Sequence, residues 1–145
     1  MYLIIKEPET KKDYENYFDI RWQILRRPWG CPRGSEKDDL EETSIHLMAY
    51  TENKIPVGAG RAHFNSAAQA QIRFMAVVPD YRNNGIGGTL LSGLERRVKI
   101  GGAKYIVLNS RETAVGFYKK HGYSTEGRAV TLFSQLKHVK MRKDI

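Results

Sequence analysis

Apolar positions along the chain change period several times, and each change predicts an element. Tyr2–Lys6 alternates weakly, as a short first strand does. After Thr10, a residue suited to an N-cap, Tyr14, Phe18, Trp22 and Leu25 recur at spacings of four, four and three. That pattern is one face of a helix ending before Pro28. Gly30–Gly34 reads as loop, and Ser35 is placed to cap a short acidic helix over Glu36–Thr43. His46–Tyr50 and Pro56–Phe64 read as hairpin partners around a turn at Glu52–Lys54. Gln69–Val78 is the next strand, with Ile72, Phe74, Ala76 and Val78 on one side. Pro79–Asn84 breaks it, and Gly85–Ile100 is helical, with Ile86, Leu90, Leu91, Leu94 and Val98 as its apolar stripe. Gly101–Gly102 stops that helix. Lys104–Asn109 reads as a buried strand and Glu112–His121 as a short helix stopped by Gly122. Val130–Phe133 and His138–Arg142 read as a closing pair of strands.

The order is an antiparallel meander, a strand–helix–strand–helix unit and a final hairpin, which is a mixed α/β (α+β type) arrangement. With no repeat, linker or low-complexity tract, the 145 residues read as one domain spanning 1–145. No apolar run approaches the ~18–20 residues of a membrane span, so no membrane is expected. The lone cysteine, Cys31, allows no internal disulfide and suits a reducing cytoplasm.

Charge is unevenly spread. Residues 1–52 carry 8 Lys/Arg against 11 Asp/Glu, and residues 53–145 carry 16 against 5, within a total of +8. The second part suits a polyanion such as a phosphorylated cofactor, the first a cationic partner.

The most specific chemistry lies where the strand ending at Val78 meets the long helix. Arg82-x-x-Gly85-x-Gly87-Gly88 follows a Pro-Asp turn and opens that helix. Glycines let successive backbone N–H groups converge, and a helix N-terminus adds its positive dipole end, so the segment makes a nest for a pyrophosphate. A Walker-type loop is excluded because no Gly-Lys-Ser/Thr ending follows. The dinucleotide fingerprint is excluded by the glycine spacing and by the lack of a ribose-binding acid.

Arg82-x-x-Gly85-x-Gly87 after Met75-Ala-Val-Val-Pro resembles the signature segment of the GCN5-related N-acetyltransferases (GNAT). Asn109-x-x-x-x-Ala114-x-x-Phe117-Tyr118-x-x-x-Gly122-Tyr123 resembles their second signature, at the family spacing. In the first half, Arg21-Trp-x-x-Leu25-Arg-x-Pro28-x-x-x-Pro32-x-Gly34-Ser-Glu-x-Asp38 resembles the acetyltransferase half of a bacterial protein that joins such a domain to a hot-dog thioesterase. Ile72-Arg-Phe-Met-Ala-Val and His138-x-x-Met141 match it too. The thioesterase half has no counterpart in these residues, so nothing that depends on it is implied.

The resemblance implies the GNAT fold: a mostly antiparallel sheet splayed between two parallel strands and flanked by helices. It implies acetyl-CoA as acyl donor, its pantetheine lying between the strands of Met75–Val77 and Asn109. Backbone groups of Met75 and Val77 are then expected to pair with the acyl carbonyl and the pantetheine amides. Asn83, Asn84, Gly85, Ile86, Gly87 and Gly88 would hold the pyrophosphate, with Arg82 shaping the turn. Asn109 would bond the cofactor or order the strand end. Tyr118 is the implied catalytic acid, a phenol able to protonate the departing thiolate.

The general base is open. Gln71 stands where some members carry a glutamate and cannot replace it; Glu36, Asp38, His46 and His63 are the candidates, and His138 reads as structural. No Cys/His grouping has metal-ligand spacing, so no metal is expected. The acidic run Glu36–Glu42 could rim the acceptor end and concentrate a cationic amine, or could be a solvated surface. The leading reading is an enzyme moving an acetyl or other short acyl group from CoA to a primary amine, of small-molecule or peptide type. A CoA-binding sensor with weak catalysis is one rival. A basic nucleic-acid-binding domain is a second, disfavoured because the aromatics at 117, 118 and 123 fit the acetyltransferase pattern instead of an exposed stacking surface. A homodimer is compatible with the sequence but not specified by it.

Overall fold

The computed structural model of the chain describes residues 2–128 and 136–145. Seven strands form one sheet: β1 (Leu3–Lys6), β2 (Ile45–Thr51), β3 (Pro56–Phe64), β4 (Gln69–Val77), β5 (Tyr105–Arg111), β6 (Ser124–Arg128) and β7 (His138–Asp144). Their order is β1-β2-β3-β4-β5-β7-β6, with β4 and β5 parallel and every other pair antiparallel. The helices are α1 (Lys11–Leu25), α2 (Ile86–Ile100) and α3 (Val115–Lys120). This is the mixed α/β arrangement expected from the sequence.

The first helix starts where its cap residues require. Thr10 accepts from the Asp13 amide, while the Asp13 carboxylate accepts from the Thr10 and Glu9 amides. One face of α1 (Tyr17, Ile20, Leu25) packs with Met48, Tyr50, Ala59, Phe74 and Ala76. The stripe of α2 (Ile86, Leu90, Leu91, Leu94, Val98) packs on the other face of the sheet with Leu47, Val57, Ile72, Ile106 and Leu108.

One backbone feature of β4 overturns the expected alternation. Ala59 pairs with Ala76 and Arg61 with Arg73, so Phe74 and Met75 together oppose Gly60, and Phe74 has φ +57°. This β-bulge shifts the face parity of everything after it. Ile72 therefore packs on the α2 side, whereas Phe74 and Ala76 pack on the α1 side and Met75 and Val77 take the α2 side. A Cβ on Gly60 would stand 2.6 Å from Sδ of Met75, so a side chain opposite the bulge would make Met75 move. The parallel pairing of β4 with β5 ends at Ile72–Leu108, and the two strands diverge beyond it.

Two other expectations change. Glu36–Thr43 forms only turns and a 3₁₀ segment at Glu41–Thr43, because its carboxylates are drawn to buried arginines instead of lying along a helix surface. The closing hairpin pairs β6 with β7, and the expected strand at Val130–Phe133 falls outside the described residues.

Candidate active site

Where β4 and β5 part, a cleft opens that runs from the end of α1 to the start of α2. Its volume of about 1780 Å³ exceeds the ~300–1,000 Å³ of an ordinary small-ligand pocket, room for two reactants end to end. Met75, Val77, Arg82, Asn83, Gly85, Ile86, Gly87, Gly88, Asn109 and Tyr118 all line it. Asn84 is the expected site residue that does not; its side-chain amide donates to the carbonyls of Tyr81 and Arg82 and braces the turn from outside.

Backbone geometry explains the turn. A 3₁₀ segment at Pro79–Tyr81 redirects the chain, and Asn83 (φ +66°) and Gly85 (φ +77°) are both left-handed. Arg82 folds back so that its Nε donates to the Val77 carbonyl at 3.2 Å. The first α2 amide with an intrahelical acceptor is Thr89, bonded to the Gly85 carbonyl at 3.0 Å. The amides at the helix start before it are thus left for an external acceptor, and no side chain caps them. The two helical glycines also have a packing role that the sequence reading gave to amide convergence alone. A Cβ on Gly87 would stand 3.1 Å from the Phe117 ring, and one on Gly88 2.8 Å from the His121 ring.

Regular alternation after the bulge sets the edge chemistry. The Val78 amide donates to the Val57 carbonyl, so the backbone groups of Val77 point away from β3 toward the cleft. Asn109 is exposed on the opposite wall, just past the last β4–β5 pair.

Tyr118 is buried in the α2-side core, edge-on to the rings of Phe117 and Tyr123, yet it reaches the cleft. Burial pushes its hydroxyl well above the usual tyrosine range, while the nearby Arg111 charge pulls modestly the other way. The phenol is therefore fully protonated at neutral pH. No described residue hydrogen-bonds that hydroxyl, which leaves it available to a ligand.

None of the four base candidates lines the cleft. Glu36 accepts from the Gly34 amide. Asp38 would be raised by burial, but hydrogen bonds from Arg61 and the charges of Arg61 and Arg73 outweigh that and hold it at about 2. His46 lies between the Tyr17 hydroxyl (2.8 Å) and the Glu41 carbonyl (2.7 Å), and burial lowers its pKa. His63 accepts from Arg61 on Nδ1 and meets Asn65 Oδ1 with Nε2, its pKa also lowered by burial. Asn65 in turn donates to Gln71, which does line the cleft. The acidic run does not rim the site either: no residue of Glu36–Glu42 lines it. Among the described residues there is no group of three or more metal-ligating side chains.

The sequence reading missed Arg26, Arg73 and Arg111, which line the α1 end of the cleft. Arg26 and Arg73 stand inside the quoted motifs and Arg111 in the cation-rich second part, but neither signal says that the three converge.

Comparison with known proteins agrees with this geometry. Residues 32–145 match the model of the acetyltransferase (GNAT) domain family. YjcF of Bacillus subtilis (strain 168), an uncharacterized N-acetyltransferase, is 34% identical over 142 residues, 98% of each chain. The fold is shared by an aminoglycoside 6'-N-acetyltransferase complexed with coenzyme A (TM-score 0.80, 19% identity, 97% of this chain and 96% of that one). It is shared too by a GNAT family acetyltransferase of Elizabethkingia anophelis with acetyl-CoA bound (TM-score 0.74, 16% identity, 99% and 98%). With both signature segments set around one cleft and that match across most of its length, the chain belongs to the GNAT acetyltransferase family.

Proposed function

We propose that the chain, acting as a single N-acetyltransferase domain, moves an acetyl group from acetyl-CoA directly to a primary amine. The observation that carries this is the open edge of β4, from Met75 to Val77, leading into the uncapped N-terminus of α2. Acetyl-CoA is the donor. Its pantetheine takes the place of a strand between β4 and β5, and its pyrophosphate meets the amides of Asn83–Gly88, with Arg82 and Asn84 fixing the turn and Asn109 bonding from the far wall. An amide of the Met75–Val77 edge donates to the thioester oxygen and stabilises the oxyanion that forms as the amine nitrogen attacks the carbonyl carbon. Collapse breaks the C–S bond, and Tyr118 gives its proton to the leaving thiolate. The amine proton is lost to solvent and Tyr118 is reprotonated the same way; among the described residues the cleft wall holds no carboxylate, and its imidazoles are His121 and His138.

The likeness of Arg21–Asp38 to the acetyltransferase of a thioesterase fusion adds no second activity to this proposal. Incubation with acetyl-CoA and a panel of primary amines, reading free thiol and acetylated product, tests it. Product formed only with both substrates is the expected result. Tight acetyl-CoA binding with no product from any amine would favour the sensor reading.

A further inference from the structure

We propose that the amine acetylated here also carries an oxyanion, a carboxylate or a phosphate ester, held between Arg73 and Arg111 at the α1 end of the cleft. The inference rests on the acetyl-transfer reading above and names its acceptor class.

Four guanidinium carbons surround the Phe74 ring: Arg21 at 3.9 Å, Arg73 at 4.7 Å, Arg61 at 4.9 Å and Arg26 at 5.3 Å from its centroid. Two carboxylates answer them, and both are saturated. Glu41 binds Arg21 with both oxygens and Arg61 with one. Asp38 binds Arg61 with both oxygens and Arg73 with one. Arg111 lies across the gap on β5, with Nη2 3.4 Å from the Leu25 carbonyl, and has no ion pair among the described residues.

The cleft lining thus includes Arg26, Arg73 and Arg111 and not one Asp or Glu. Residues 129–135, Ala-Val-Thr-Leu-Phe-Ser-Gln, contain no acid either, so that stretch supplies none. Arg26 and Arg111 are held below the ordinary arginine range, mainly by burial, and the charges of Arg73 and Arg111 press on Arg26 as well. Cations gathered in a partly buried wall repel one another, and an anion bound among them relieves both the repulsion and the loss of hydration. A planar guanidinium fork suits a carboxylate or phosphate.

The donor's phosphates do not reach Arg73, although Arg111 feels the charge of Arg82. Arg73 stands four residues before Val77, about 13 Å back along β4. It is therefore at the end of the open edge away from the Arg82–Gly88 turn. On the α1 side of the sheet, the remaining ligand is the acceptor.

The test compares paired acceptors: amino acids against their amides, aminoalkyl phosphates against the parent amino alcohols, with a polyamine as the cationic control. Thiol release and product mass are read for the wild type, Arg111→Met and Arg73→Gln. Acetylation confined to anionic members is expected, and whichever anion turns over fastest identifies the source. Each variant should raise the acceptor KM at least tenfold and leave the acetyl-CoA KM unchanged. Acetylation of the amides, amino alcohols or polyamine as fast as their anionic partners overturns the inference while sparing the transfer reading. So does a variant effect confined to the acetyl-CoA KM. If no amine at all is acetylated, the transfer reading fails and takes this inference with it.

Discussion

The Arg61 guanidinium, which has no exposed surface, grips both oxygens of Asp38, with Nη1 2.6 Å from Oδ1 and Nη2 3.0 Å from Oδ2. This pair links the loop after α1 to the middle of the sheet, and through Glu41 it is continuous with the equally buried Arg21. Removing one partner of such a pair leaves a buried charge uncompensated, which costs about 3–5 kcal/mol. Glu41→Gln, which strips Arg21 of its carboxylate, is expected to lower the unfolding free energy by about that much in denaturant melts, and Asp38→Asn by less, since Arg61 keeps Glu41. Asp39→Asn, at an exposed position, should leave the midpoint where it is.

The same pair sets an acid limit. Asp38 is held at about 2, below the value near 4 of an unfolded aspartate. A carboxyl depressed by folding contributes stability that is complete above the unfolded value and is lost as pH falls through the folded one. Stability should therefore drop between about pH 4 and pH 2. In Asp38→Asn that part of the pH dependence should be gone, as melts across this range would show.

Tyr118→Phe keeps the ring packed against Phe117 and Tyr123 and removes only the proton donor. Turnover should fall ~10²–10⁴-fold, the usual worth of general acid catalysis, while acetyl-CoA affinity stays within twofold. A variant that turns over like the wild type removes Tyr118 from the chemistry.

The packing of α3 on Gly87 and Gly88 makes those glycines poor probes of phosphate binding, since any side chain there strikes Phe117 or His121. Thr89 is a better one, exposed in the first turn of α2 and lining the cleft. Thr89→Glu suits the dipole of its own helix, so the melting temperature should hold or rise slightly. Its charge repels a pyrophosphate, so calorimetry should show acetyl-CoA affinity down at least tenfold. Unchanged affinity would place the phosphates elsewhere.

The elements of the fold were legible because their signals are local: the Thr10 cap, the stripe from Ile86 to Val98, the break at Pro79. The bulge at Phe74 was not. Nothing in an alternating apolar strand announces that a phenylalanine will take a left-handed φ, and that single residue reversed the assignment of faces after it. The glycine turn was legible because spacing along a helix start carries its geometry, whereas Tyr118 was singled out only through the resemblance of Asn109–Tyr123 to the second signature. The arginine cluster could not. Arg21, Arg61, Arg73 and Arg111 are brought together by α1 and three strands, and a charged residue read in isolation is assigned to the surface, whereas Arg21 and Arg61 are fully buried. The acidic run was visible, but its partners were not, so carboxylates bound to the core looked like a rim for substrate.

The seating of acetyl-CoA along the open edge of β4 is tested most directly by amide-resolved hydrogen exchange with and without the ligand. Protection should appear at Met75, Val77 and the amides from Asn83 to Gly88, and should be absent from β1 and β6. Protection confined to other segments, or none at saturating acetyl-CoA, would contradict the placement of the donor between β4 and β5 and the transfer chemistry built on it.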